Sequence, residues 1–179
     1  MKHPLQSRLA GVIGFAFAGA GLAACGFHPL YGNAAFGSGL SNTFASVYVE
    51  PIADYGVADT GYELRNRLID LLNSNADARY RLKLTLSETS EGIALETNAS
   101  ITRYNDTLTV HYVLTDVVAG REIKRGIETA LAAYNVAASP YATVVAQQAA
   151  DRHAVQDLAE RLRLELGVFF EQRSKSQWK

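Results

Sequence analysis

One cysteine, Cys25, stands in a chain of 179 residues, so no disulfide framework is available and the fold must rest on its core alone. Charge of one sign is also missing. Lysine and arginine total 17 against 18 aspartates and glutamates, which offers no basic excess for a dedicated nucleic-acid binder. The four histidines (His3, His28, His111 and His153) fall at no metal-ligand spacing. A nucleophile elbow, a His-Glu-x-x-His helix and a phosphate-binding loop are all absent. The expectation is therefore a non-enzyme with no catalytic residue, no metal and no cofactor. His111 reads as solvated strand surface beside threonines, and Asp151, Arg152 and His153 read as an exposed, partly paired helical turn. No internal repeat and no low-complexity run breaks the chain.

What is present is concentrated at the N-terminus. Lys2 and Arg8 form a basic start, residues 9–22 are apolar and rich in Ala and Gly, and Leu22-Ala23-Ala24-Cys25-Gly26 closes the run. This is the grammar of a secretory signal peptide. The apolar run falls short of the about 20 residues that span a bilayer. No second run reaches that length, so attachment to a membrane would be by lipid. A sole cysteine at the end of the apolar run marks a lipoprotein cleavage box, with cleavage before Cys25 and acylation of its thiol and amine. The alternative is an ordinary secretory signal with an incidental cysteine. Each buried methylene of an acyl chain contributes about 0.8 kcal/mol, and two or more chains anchor stably. Without residues 1–24 the chain has 155 residues, with 15 basic and 18 acidic side chains. That is enough for one domain with a real core.

Periodicity organises the rest. Residues 26–42 are rich in Gly, Ser and Asn and read, with Cys25, as a lipidated tether over 25–42. Residues 43–50 read as a strand ended by Pro51. Thr60-Gly61-Tyr62-Glu63 has the form of a capping box, and Leu64, Leu68, Leu71 and Leu72 follow at helical spacing, predicting a helix over 60–73. Tyr80, Leu82, Leu84 and Leu86 alternate with polar residues as a strand does. A third strand is expected over 99–116, bent near Asn105-Asp106, and a fourth over 122–134. Ser139-Pro140 opens a helix reaching about residue 172, with an apolar line of Tyr141, Val144, Val145, Val155, Leu158, Leu162, Leu166 and Phe169. Residues 173–179 form a polar tail. The fold class is α+β: a two-layer sandwich in which a four-stranded mixed sheet carries two helices on one face (β-α-β-β-β-α), over a domain of residues 43–172. The other face is expected to be polar.

Leu22-Ala23-Ala24-Cys25-Gly26-Phe27-His28-Pro29-Leu30-Tyr31-Gly32 resembles the start of the lipopolysaccharide-assembly lipoprotein family LptE of alphaproteobacteria. The resemblance continues through Tyr62-Glu63-Leu64-Arg65-Asn66-Arg67-Leu68, Tyr80-Arg81-Leu82-Lys83-Leu84, Ile101-Thr102-Arg103-Tyr104 and Tyr134-Asn135-Val136. The Tyr141-Ala142 entry to the long helix and Leu158-Ala159 within it complete the match. It implies a lipoprotein of the Gram-negative cell outer membrane, lipid-anchored on the periplasmic side or within a barrel lumen. Its implied partners are the LptD β-barrel, which it plugs, and lipopolysaccharide. Cys25 carries over as the lipidated residue, and Gly26, where an Asp would favour inner-membrane retention, is compatible with outer-membrane delivery.

Lipopolysaccharide is anionic, and Arg and Lys suit such groups through charge-assisted hydrogen bonds. The candidate contacts with lipopolysaccharide or the barrel are Arg81, Lys83, Arg103, Arg121, Lys124 and Arg125, each of which can also be read as a solubilising surface charge. The rival function is a stand-alone lipid-anchored periplasmic ligand-binding module. The N-terminal reading makes a direct prediction. Mass spectrometry of the membrane-extracted protein should find a mature N-terminus at an acylated Cys25, and Cys25→Ala should leave an uncleaved or unlipidated product. A lipid-free N-terminus elsewhere would sink it.

Overall fold

In the computed structural model, residues 38–54, 58–76, 78–94 and 101–176 are described. The expected signal peptide, Cys25 and the first part of the tether lie outside them. The elements run α1 (Ser38–Ala45), β1 (Val47–Val49), β2 (Ala53–Asp54), α2 (Ala58–Leu72), β3 (Tyr80–Ala94), β4 (Ile101–Asp116), β5 (Arg121–Asn135) and α3 (Pro140–Ser176). The sheet order is β1-β3-β4-β5, with β1 parallel to β3 and the two later pairings antiparallel. Short β2 continues β1's edge, also parallel to β3. This is the expected mixed sheet with helices on one face.

Alternation decides which face is covered. Leu82, Leu84 and Leu86 of β3, and Leu108, Val110, Tyr112 and Leu114 of β4, are all buried, as are Ala130, Ala132 and Tyr134 of β5. Leu64, Leu68 and Leu72 of α2 close over them together with Val155, Leu158, Leu162, Leu166 and Phe170 of α3. The third strand is continuous, and its ladder runs unbroken through Asn105 and Asp106; the β4–β5 register shifts between Leu114 and Thr115. Within that run Asp106 is buried, and its Oδ1 accepts a hydrogen bond from Ser90 Oγ across the strand pair.

Three further differences have physical reasons. Residues 38–42, read as tether, are helical, and the first strand shrinks to Val47–Val49. α1 forms because Phe44 docks edge-on against Phe170, ring centroids 6.4 Å apart. α2 begins at Ala58, which puts Thr60 inside its first turn rather than at its cap. It ends in a Schellman turn: Asn73 has φ 50°, and Ser74 N–H donates to the Ile69 carbonyl at 3.0 Å. In α3, Tyr141, Val144 and Val145 are exposed at 77%, 49% and 44%, so the core stripe starts only at Ala154, and Phe170 rather than Phe169 is the buried aromatic.

Close approach explains one glycine. A Cβ on Gly126 would sit 2.5 Å from the Tyr112 hydroxyl, which lies across the β5 backbone on the covered face. Burial, helped by Glu165 and Glu128, pushes the Tyr112 phenol up to about 12.

The turn end of the sheet is tied by one carboxylate. Asp116 is fully buried and accepts from Arg79 Nη2 at 2.9 Å and from the backbone N–H groups of Val118 and Ala119 at 3.1 Å each. Arg173 of α3 stands 3.6 Å away. The Arg79 hydrogen bond, opposed by burial, holds the Asp116 carboxyl below its ordinary value of 3.8.

Two tests follow from this architecture. Truncating Leu158, which is fully buried, should cost about 2–5 kcal/mol. Leu158→Ala should therefore lower the melting temperature by several degrees; an unchanged melting curve would mean the core face is misassigned. Asp116 should shape acid stability. Its folded-state pKa is depressed, so its contribution is complete above 3.8 and is lost as pH falls through the folded value. Circular-dichroism melts between roughly pH 2 and 5, the range over which carboxylates titrate, should show a shallower acid decline for Asp116→Asn than for the parent.

Candidate functional site

The uncovered face of the sheet is the surface on which the candidate residues can be judged. Ladder partners project to the same side, so the rows follow from the register. Arg81 stands beside Thr115 and Glu122, and Lys83 beside Val113 and Arg125. Thr85, His111 and Ile127 come next, then Ser87, Thr109 and Thr129, then Thr89, Thr107 and Leu131. The face is dominated by threonine and serine but is not wholly polar. Ile127 and Leu131 are 59% and 58% exposed on it. The inward side of β5 holds small alanines, so its larger aliphatics point outward.

Three of the six basic candidates converge. Arg81, Lys83 and Arg125 occupy adjacent rows at the end of the sheet that carries the β4–β5 turn, with Lys83 and Arg125 separated by two strand spacings, about 10 Å. Arg81 is 3.8 Å from Glu50, with both side chains partly in water. Arg125, also exposed, grips Glu122 through Nε and through Nη2 at 2.6 Å. That grip holds the Glu122 carboxyl below its usual range and raises the guanidinium. Lys83 has no ion-pair partner among the described residues. Arg121, exposed beside the turn and paired in the ladder with Asp116, lies at the same end. Such solvent-exposed pairs are worth little to stability.

The other two candidates lie apart. Arg103 is on the open face, half-buried, with Nε donating to Asn105 Oδ1 at 3.2 Å. Its strand position is twelve residues from Thr115, the ladder partner of Arg81. At about 3.3 Å per residue, that places it about 40 Å along the strand. Lys124 points to the covered side, where it meets Glu165 of α3 at 3.3 Å and lies 5.9 Å from the Phe169 ring centroid. It is a strut between β5 and α3.

At the opposite end from the basic cluster lies a group that the sequence did not suggest. Glu88 of β3, Asp106 of β4 and Asp151 of α3 each bring one carboxylate oxygen within 4.8 Å of the others. Asp151, read as exposed helix surface, joins this group, and its Oδ1 is buried with no hydrogen-bond partner among the described residues. Burial, then Asp106 and Asp151, raise the Glu88 carboxyl, and burial, then Asp106 and Glu63, raise that of Asp151. A groove of about 260 Å³ between α2 and α3 is lined by Glu63, Asn66, Arg67, Asp70, Val155 and Gln156. It is smaller than most ligand pockets, and no nucleophile–base pair lines it. Among the described residues, no helix is long and apolar enough to cross a membrane.

With this geometry in hand, the chain can be set beside known proteins. The sequence profile of the lipopolysaccharide-assembly family LptE matches residues 44–166. An uncharacterized protein of Rickettsia prowazekii (strain Madrid E) is 30% identical over 125 residues, covering 70% of this chain and 77% of that protein. The crystal structure of a lipoprotein from Caulobacter crescentus CB15 superposes with a TM-score of 0.61 at 25% identity, over 76% of this chain and 98% of that one. A minor lipoprotein from Acinetobacter baumannii gives 0.51 at 20% identity, over 69% and 92% of the two chains, a likeness of fold.

Proposed function

This chain belongs to the LptE lipopolysaccharide-assembly family, and from that premise we propose that it is an outer-membrane lipoprotein, anchored through Cys25, that partners and plugs the LptD β-barrel. It acts as a binding and structural component, not an enzyme. The observation that carries this reading is the division of the sheet into two faces. The helices and the apolar core occupy one. The other offers threonine and serine rows to whatever lies against it. A barrel lumen is lined by polar side chains, so a plug must fold on its own core and present a polar exterior. Ile127 and Leu131 add apolar contact to that exterior.

The basic end of the same face supplies the second half of the proposal. Arg81, Lys83 and Arg125 can meet the anionic groups of lipopolysaccharide, whereas Arg121, the ladder partner of buried Asp116, belongs to the covered side. Glu50 and Glu122 pair with Arg81 and Arg125, and both pairs are exposed enough to exchange partners. Arg103 is too far away to join one headgroup contact, and Lys124 is committed to Glu165.

The test is a triple charge reversal of Arg81, Lys83 and Arg125 to Glu. It should weaken lipopolysaccharide binding at least tenfold, about 1.4 kcal/mol, with an unchanged circular-dichroism spectrum. Arg103→Glu should bind as the parent does. A detergent extract should yield the protein together with a large β-barrel. Recovery as a lone monomer would favour a stand-alone lipid-anchored periplasmic binding module instead, and full binding by the folded triple variant would reduce the basic end to a solvated surface.

A further inference from the structure

The carboxylate group at the far end of the sheet differs in kind from the other acidic positions. Asp116, the second fully buried carboxylate, has Arg79, Arg173 and two backbone N–H groups around it. Asp106 is equally buried, yet its Oδ2 has no hydrogen-bond partner among the described residues; Ser90 Oγ donates to its Oδ1, and the Tyr134 phenol and the Glu88 carboxyl also interact with its side chain. Glu88 lies diagonally across the ladder from it, on the same covered face. Asp151 closes the group from α3. None of the three forms an ion pair with an arginine or lysine among the described residues. The charged neighbours make matters worse rather than better: Glu63 adds negative potential from α2, and Arg152, which partly offsets it, is exposed. Burying several carboxylates this close together is costly unless something positive joins them.

We propose that Glu88, Asp106 and Asp151 form a binding site for one hard divalent cation, calcium being the best fit, which ties α3 to strands β3 and β4. The donor set is oxygen only, which suits calcium and magnesium rather than zinc or copper. Calcium–oxygen distances of about 2.3–2.6 Å let ligands on opposite sides of the ion stand up to about 5 Å apart. The observed spread, within 4.8 Å, fits inside that limit. Asp106 Oδ2 and Asp151 Oδ1 are the two unpartnered oxygens, one from the sheet and one from the helix. Magnesium, with shorter bonds and stricter geometry, would require the three to draw closer.

The position gives the ion a structural role. Asp151 sits where α3 leaves the core: from Ala154 onward its inner face is buried, whereas Tyr141, Val144 and Val145 before it are exposed. Apolar contact does not hold the helix at this point. A cation bridging Asp151 to Glu88 and Asp106 would, and it would do so at the opposite end from the Asp116 tie.

The experiment uses the purified full chain in detergent at neutral pH. Its melting temperature is compared in chelator, in millimolar calcium chloride and in sodium chloride of matched ionic strength. Calcium should raise it by about 3–8 °C, the shift expected for ligand at 10–100 times its dissociation constant. Calorimetric titration should give one site per chain. Asp151→Asn and Glu88→Gln should abolish the shift and, in chelator, melt no lower than the parent, because each removes a like charge from the group. Asp151 lies partly at the surface, so its variant keeps the test valid if substitutions deeper in the core impair folding. No calcium response in the parent would overturn the proposal, as would an equal rise with sodium chloride or a calcium shift retained in both variants. A parent indifferent to calcium, with variants more stable in chelator, would mean that the carboxylates share a proton instead.

Discussion

Asp116 keeps its negative charge where solvent does not reach, and the turn end of the structure is arranged to make that tolerable. The carboxylate ends β4, receives Arg79 from the start of β3, orders the β4–β5 turn through two backbone N–H groups and reaches Arg173 near the end of α3. Three parts of the chain, far apart in sequence, meet at one pair of oxygens. Removing a single partner from such a network leaves an uncompensated buried charge, so its members stand or fall together. Phe170 works beside it, packed between Phe44 and Tyr80, and brings α1 to the same corner.

From this corner α3 must cover three strands of about 50 Å each. It does so unevenly. Leu158, Leu162 and Leu166 lie on the apolar half of the covered face, and Arg161 and Glu165 reach β5 through the Thr129 carbonyl and Lys124. Toward the other end the inward side chains of β3 change from leucine to Glu88, Ser90 and Gly92, and the helix changes with them. The result is a sheet with opposite chemistry at its ends. Arginine and lysine gather on the open face by the turn, and carboxylates gather on the covered face at the far end. An anionic glycolipid and a divalent cation would therefore be met about a strand's length apart and on opposite sides of the same three strands.

The elements with strong periodicity were legible in the residues alone. Tyr80, Leu82, Leu84 and Leu86 announce a half-buried strand, and the leucines of α2 announce a helix, because burial of one face requires that spacing. The second half of β3 was not legible, since Glu88 to Gly92 is polar on both faces; it is a strand because β4 completes its ladder. α1 has two large apolar residues in a Gly/Ser/Asn setting, and only docking of Phe44 on Phe170 makes it a helix. The candidate site was half legible for a reason that can be located. Lys124 and Arg125 keep the alternation of the rest of β5, Lys124 inward with Ala130 and Ala132 and Arg125 outward. The register shift between Leu114 and Thr115 skips Ile123, and that single bulged residue exchanges the faces beyond it: Glu122 joins the open face and Arg121 the side of Asp116, which alternation within β5 alone does not reveal.

Asp106 shows the same dependence in another form. Asn105-Asp106 has the composition of a turn, and a turn would place the carboxylate in water. The strand partners override that preference: Asp106 pairs with Ser90 on one side and Ala132 on the other, and the pleat aims it into the covered layer. Once there it cannot recover its hydration, and the neighbours that arrive, Glu88 and Asp151, carry the same sign. A buried aspartate beside alanine and tyrosine is explained by packing only if its charge is met. Arg79 and Arg173 do this for Asp116 with two fixed cations of the chain. At Asp106 the described residues bring oxygens and no paired cation, which is the arrangement of a ligand set rather than of a salt bridge.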